Sequence, residues 1–243
     1  MFELFNPQVA VENIGPLLGG LLITVELTLV VIVLSLVFAL FVALGGMSRI
    51  TPLRWLVKAY VEVIRGTPLL LQLIYVYYVL PEIGIRLDAF TAGVLALTLN
   101  YSAYISEVYR GGIQAIPRGQ HDAAAALGMT HPLSMRRIIL PQAARVIVPP
   151  LGNEFNNMLK TSSLVFTIGV YEMFSDAEIH YSNTFLPEFF IAVAFWYLFL
   201  TSIWTIIQGW IERRLAVSDR DERLTIRERF EAAWSSPATV FRR

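Results

Sequence analysis

The sequence predicts an all-α integral membrane protein with five transmembrane helices. Three observations carry this. The 243 residues are 56% hydrophobic and 16% charged, whereas an average soluble chain is about a quarter charged. The apolar residues fall into five runs of the length, about 20 residues, that crosses a hydrocarbon core. Lys and Arg gather in alternate connections between those runs, as in a chain threaded back and forth through a bilayer.

Composition also excludes several classes. There is no Cys and there are three His, which argues against disulfides and against Cys-rich zinc or iron–sulfur sites; no metal site is expected. A formal net charge of zero gives no bulk attraction to nucleic acid.

Residues 1–16 form an N-terminal segment with Glu3 and Glu12 and no base. Leu17 to Gly46 is the first span. It lacks the basic start and short core of a signal peptide, so it reads as a retained span. It contains Glu26. A carboxylate at membrane depth is expensive, so Glu26 either faces protein or water or sits at the outer interface.

Ser48 to Lys58 carries Arg49, Arg54 and Lys58, and Trp55 marks an interface. The second span, Leu56 to Leu80, is interrupted by Arg65-Gly66-Thr67-Pro68. Pro removes a backbone hydrogen bond and Gly loosens the helix, so a bend is predicted here. Backbone groups freed at membrane depth must be buried in protein or line a polar cavity. Glu62 lies three residues before Arg65, a spacing that allows a local ion pair. The third span, Ala89 to Val108, holds a polar knot of Asn100, Tyr101, Ser102, Tyr104, Ser106 and Glu107.

Pro117 to Pro150 is the long interruption. Asp122 to Leu127 is Ala-rich and stops at Gly128, a strong helix former followed by a common helix stop. Pro132 suits the first turn of a second short helix, which Pro141 is expected to end or kink. The fourth span is Ile147 to Met173, with Pro149-Pro150 at its start. At about 100° per residue, Asn153, Glu154, Asn157, Lys160 and Thr161 share an arc of about 120°, with Ser162 and Ser163 following. So wide a polar stripe avoids lipid and forms either a ligand surface or a hydrogen-bonded seam between helices.

Tyr171 to Glu188 reads as a solvated loop. Its Glu178 and His180 are two metal-type ligands without a third. Phe189 to Ile211 is the fifth span, with Trp196, Trp204 and Trp210. Residues 215–243 form a charged tail, in which Ile226, Phe230, Ala233 and Trp234 share one helical face suited to a surface or docking helix.

Assigning the connections to alternate sides puts Arg49, Arg54, Lys58, Arg110, Arg118, Arg136, Arg137, Arg145 and the tail arginines on one side and Arg86 alone on the other. The positive-inside rule then places the Ala-rich loop and the C-terminus in the cytoplasm and the N-terminus outside.

Several stretches carry a family resemblance. Asp122-Ala123-Ala124, Gly128 and Ile138 to Pro141, with Leu140 before the proline, resemble the cytoplasmic coupling loop of ABC importer membrane subunits, where Glu is more usual than Asp at the first position. Arg65-Gly66-Thr67-Pro68-Leu69 with Gln72, Asn100 to Gln120, and Pro149 to Val165 are similar to the polar amino-acid importers of that family. The resemblance covers about Leu17 to Arg214, residues 17–214 being the transmembrane domain. It implies a type I ABC importer fold with the coupling-helix loop between spans three and four. It also implies alternating access, a second permease subunit (homodimer or heterodimer), two ABC ATPase subunits and an extracytoplasmic substrate-binding protein in a bacterial inner membrane. The carried-over coupling residues are Asp122, Ala123, Ala124, Gly128, Ile138, Leu140 and Pro141. The carried-over substrate contacts are Glu154, Asn157, Lys160, Thr161 and Ser162, with Glu154 for a cationic group and Lys160 for a carboxylate. Many relatives have Asp where Thr161 stands, which weakens the case for a strongly cationic substrate.

The sequence has no Gly-x-x-x-x-Gly-Lys-Ser/Thr phosphate loop and no hydrolase or zinc-protease motif. No cofactor is therefore expected in this chain, no enzymatic activity of its own, and ATP and Mg are expected on the partner ATPase. Two other classes fit the bare topology: an ion-coupled secondary transporter using Glu26 or Glu107, and a docking or sensory subunit.

Overall fold

A computed structural model of the protein describes residues 17–215, and these are helical with short connections. The N-terminal segment and the Arg-rich tail with its Ile226–Trp234 face lie outside the described residues. The helices are α1 (Leu18–Gly46), α2 (Thr51–Gly66), α3 (Leu69–Ile74), α4 (Ala89–Gln114), α5 (Arg118–Ala126), α6 (His131–Ser134), α7 (Leu140–Thr161), α8 (Met173–Thr184) and α9 (Glu188–Leu215).

Lipid tails are as apolar as Leu, so spans associate by close packing rather than by hiding from water. The packing of α1 on α4 follows that rule. Small residues meet there: Thr28, Ser35 and Ala39 on α1, and Ala92, Ala96 and Ala103 on α4 are all buried. Thr24 and Thr28 donate back to the carbonyls of Gly20 and Thr24 at 3.0 and 2.7 Å, so their hydroxyls cost nothing in an apolar setting. Leu27, Val31, Leu97, Ile105, Met158 and Val165 fill the central core, which joins α1, α4, α7 and the 3-10 turn after it.

Pro68 forces its predecessor out of the helical region: Thr67 is extended, with φ −117° and ψ 145°. The chain turns by 107° between α2 and the run Leu69–Ile83. The sequence expectation of a bend is met, and Gln72 shows how the bend is tolerated. Its amide donates to the Ile64 carbonyl at 2.8 Å and to the Thr67 carbonyl at 3.2 Å. Asn100 of α4 in turn donates to Gln72 Oε1 at 3.0 Å. Backbone groups freed at the bend are thereby capped by buried protein. Tyr60 pins α2 to α4 by donating to the Leu99 carbonyl at 2.7 Å.

Apolarity alone supports three of the five predicted spans: α1, α9 and, taken as one bent span, the α2–α3 pair. The α4 and α7 helices are long enough to cross, but they carry the polar residues that line the interior and each other's flank.

Three local expectations are corrected. Of the two outcomes expected at Pro141, an end or a kink, the end is excluded: the chain stays helical from His131 to Thr161, through a π turn at Met135–Ile139 just before the proline. Pro141 sits in the first turn of α7, where a missing N–H is harmless. The fourth helical stretch therefore begins at Leu140 rather than near Ile147, with Pro149 and Pro150 inside it. Tyr171 to Glu188 is not a loop throughout, because Glu172 caps α8 by accepting from the Ser175 N–H at 2.9 Å. Glu172 is fully buried and also accepts from Thr24 and Tyr197 at 3.1 and 3.0 Å, which ties α1, α8 and α9 together. His180 pairs with Asp176 at 3.5 Å and stacks on Phe189, and no group of metal-type ligands forms among the described residues.

Candidate functional site

The helix break and the α7 stripe meet. A cavity of about 550 Å³ is lined by Arg65, Gly66, Thr67, Pro68 and Leu69 from the break, by Asn100, Tyr101 and Tyr104 from α4, and by Glu154, Asn157 and Thr161 from α7. The α7 residues are placed by helix geometry. At about 100° per residue, Asn157 and Thr161 lie within about 60° of Glu154, whereas Lys160 lies about 120° away. So the predicted arc splits. Glu154, Asn157 and Thr161 reach the cavity; Lys160 is exposed and outside it; Ser162 is fully buried and donates to the Leu159 carbonyl at 2.8 Å. Asn153 turns toward α9, where Gln208 donates to it at 3.5 Å.

The walls are cross-braced. Tyr101 and Thr161 share a hydroxyl hydrogen bond of 2.5 Å between α4 and α7. The Arg65 guanidinium lies over the Tyr104 ring, 5.2 Å from its centre, a favourable cation–π placement. Its Nη1 is 3.9 Å from Glu107 Oε2. The local Glu62–Arg65 pair does not form: Glu62 pairs with Lys58 at 3.6 Å instead, one helical turn back. Arg65 and Glu154 thus give the cavity one cationic and one anionic group, in a setting of hydroxyls, an amide and aromatic rings. That set suits a small zwitterion. Asn100, Tyr101 and Tyr104 belong to the polar knot of the third span, which by sequence alone points to no site. Their spacing, i, i+1 and i+4 on one span, was the available signal.

The Ala-rich loop is a different kind of surface. Gly128 has φ +73°, and the end of α5 closes with Gly128 N–H to Ala125 O at 2.9 Å and Met129 N–H to Ala124 O at 3.0 Å. Such a double closure needs a left-handed residue, usually Gly. Asp122, Ala123, Gly128, Leu140 and Pro141 are exposed, whereas Ala124 is buried and Ile138 packs with Met135 and Ile147 against buried Ile116, Ile139 and Ala143. Of the carried-over coupling residues, Ala124 and Ile138 therefore hold the loop's shape and the others form its outer face.

Residues 32–217 match the family described as binding-protein-dependent transport system inner membrane component. The chain is 41% identical over 207 residues to the L-cystine transport system permease protein TcyB of Bacillus subtilis, covering 84% of this chain and 88% of that one. It is 38% identical over 214 residues to the probable glutamine ABC transporter permease protein GlnM of the same organism, covering 88% and 99%. Among solved structures, a chain from a crystal structure of an amino acid ABC transporter with histidines superposes with a TM-score of 0.82 at 42% identity, over 86% of this chain and 99% of that one. The MetNI methionine ABC transporter superposes with a TM-score of 0.73 at 19% identity, over 85% and 99%, a likeness of fold.

Proposed function

This chain belongs to the family of binding-protein-dependent transport system inner membrane components, and we propose that it is the membrane-spanning permease subunit of an ATP-driven amino-acid importer. It is a transport component, and an ATPase and a substrate-binding protein are the partners its family implies. The observation that carries the substrate class is the open cavity at the helix break, which Glu154 and Arg65 line together with Asn157 and Thr161. An amino acid offers an ammonium for Glu154 and a carboxylate for Arg65. Arg65 takes the carboxylate role that the sequence suggested for Lys160, because Lys160 stands outside the cavity. The polar groups of Asn157 and Thr161 orient the remainder.

Five spans with the N-terminus outside and the C-terminus in the cytoplasm of a bacterial inner membrane fit the Lys and Arg distribution. The exposed face of Asp122, Ala123, Gly128, Leu140 and Pro141 then docks an ATPase, two of which bind ATP and Mg. Glu26 is exposed between exposed Leu22, Leu29 and Val30. A lipid-facing carboxylate is costly, which supports a second permease subunit, identical or similar, over that face. The ion-coupled and sensory alternatives are not favoured. The test is uptake into proteoliposomes holding the chain with its cognate ATPase and binding protein. Uptake of an amino acid should require internal ATP and persist when ion gradients are collapsed. Uptake driven by an ion gradient without ATP overturns the reading.

A further inference from the structure

Glu107 has no task in that reading, and neither does a second cavity of about 460 Å³ lined by Arg54, Lys58, Glu62, Arg65, Glu107 and Arg110, with Gly46, Val57 and Val61. Arg65 is the residue common to the linings of both cavities. Arg54, Lys58, Glu62 and Arg65 are spaced by four, four and three residues, so α2 presents them on one face. The second cavity begins where α1 ends, beside the basic connection that the Lys and Arg distribution assigns to the cytoplasm.

The two arginines hold Glu107 unequally. Arg110 grips it with two hydrogen bonds, Nε to Oε1 at 3.0 Å and Nη2 to Oε2 at 2.5 Å. Arg65 reaches it only at 3.9 Å, and its side chain is 44% exposed. A part-exposed pair at that distance is weak and easily exchanged, whereas a two-pronged guanidinium–carboxylate contact is firm. Arg110 therefore fixes Glu107 in place, and Arg65 is free to leave it.

We infer that the second cavity is the cytoplasmic exit vestibule for the substrate's carboxylate, and that Glu107 is a positioning residue competing with that carboxylate for Arg65. The inference rests on the proposed import function. With substrate bound, Arg65 turns to the carboxylate in the cavity at the helix break. As the substrate leaves, Glu107 takes Arg65 back, and Arg110, Lys58 and Arg54 are the cations the departing carboxylate passes. No bond is made or broken; one ion pair is exchanged for another.

The test uses the reconstituted importer with radiolabelled L-histidine, L-glutamine, L-arginine and L-cystine, tried singly. Glu107→Gln removes the competitor, so both KM and the maximal rate should fall, each by about two- to fivefold, the size a part-exposed ion pair allows. Arg110→Gln frees Glu107 to hold Arg65 more tightly, so KM should rise by a similar factor. Glu107→Asp should restore wild-type values. A structural role would move KM in one direction for both variants, and that result overturns the proposal, as does an unchanged KM in either. If Glu107→Gln does not assemble, the rise in KM with Arg110→Gln and its absence with Glu107→Asp still decide it. Wild-type protein that shows no ATP-dependent uptake of any amino acid overturns this proposal together with the function it rests on; failure of the KM pattern alone overturns only this one.

Discussion

At the Arg65–Pro68 break the backbone is held by side chains from elsewhere. Gln72 caps two of its carbonyls, and Asn100 holds Gln72 from another helix. At the α5–α6 turn the backbone holds itself, through two main-chain hydrogen bonds around a left-handed glycine. The first region presents charges, hydroxyls and rings to a cavity; the second presents to the outside a patch of methyl groups, Gly128 and the Asp122 carboxylate, flanked by exposed Arg118, Arg136 and Arg137. The contrast teaches how each would recognise its partner. A small polar solute is selected by groups that pair with its charges. The docking proposed for the loop rests on an Ala and Gly patch, which offers mainly its shape. Changes of charge at constant shape should therefore injure the cavity and spare the loop, and changes of backbone shape should do the reverse.

The largest effect is expected at Gly128. Gly128→Val puts a β-branched residue at φ +73°, a conformation that costs a non-Gly residue about 1–2 kcal/mol and Val more. The loop should change shape, the ATPase should no longer co-purify, and uptake should fall to background while the chain remains in the membrane. Normal co-purification would remove the loop from the contact.

Glu154→Gln comes next. It keeps shape and removes charge. A hydrogen bond to a charged group contributes about 1.5–3 kcal/mol, so uptake should fall by about one to two orders of magnitude. ATPase co-purification and thermal stability should stay as in the wild type. Equal loss of ATPase binding would erase the contrast between the two regions.

Gln72→Ala tests what holds the break. It leaves the Ile64 and Thr67 carbonyls and the Asn100 amide without that partner, at a cost of about 1–3 kcal/mol in stability. Thermal unfolding in detergent should show it as a lowered Tm. An unchanged Tm would mean that the bend is held by packing alone.

The smallest effect is at Asp88, which caps α4 by accepting from the Thr91 N–H at 3.0 Å. Hydrogen bonding to the Thr91 side chain first, and to the Thr91 N–H second, holds its carboxyl below the ordinary value of 3.8. A depressed folded-state pKa gives stability that is present above the ordinary value and lost as pH falls through the folded one. Asp88→Ala should lower Tm slightly at neutral pH, and the difference from wild type should vanish in strong acid. A difference that persists there would assign the effect to something other than the charged cap.

Much of this was written in local sequence. Apolar run length set the membrane class, Pro68 set the bend, and an Ala run before Gly128 set the turn, because each depends on backbone geometry within a few residues. The family resemblance, carried by the same short stretches, gave the fold type and the import function. Other features needed the packed helices. Periodicity put Glu154 and Lys160 on one broad stripe, but which part of that stripe meets the helix break depends on how α7 crosses α4 and α2. Glu62 was the nearer acid to Arg65 along the chain, yet Arg65 reaches Glu107 of another helix, 42 positions on. The burial of Glu172 is likewise invisible locally, since its hydroxyl partners come from α1 and α9. Sequence fixes what a helix can present on each face; the tertiary structure decides which face meets which, because that choice is made by packing between segments far apart in the chain.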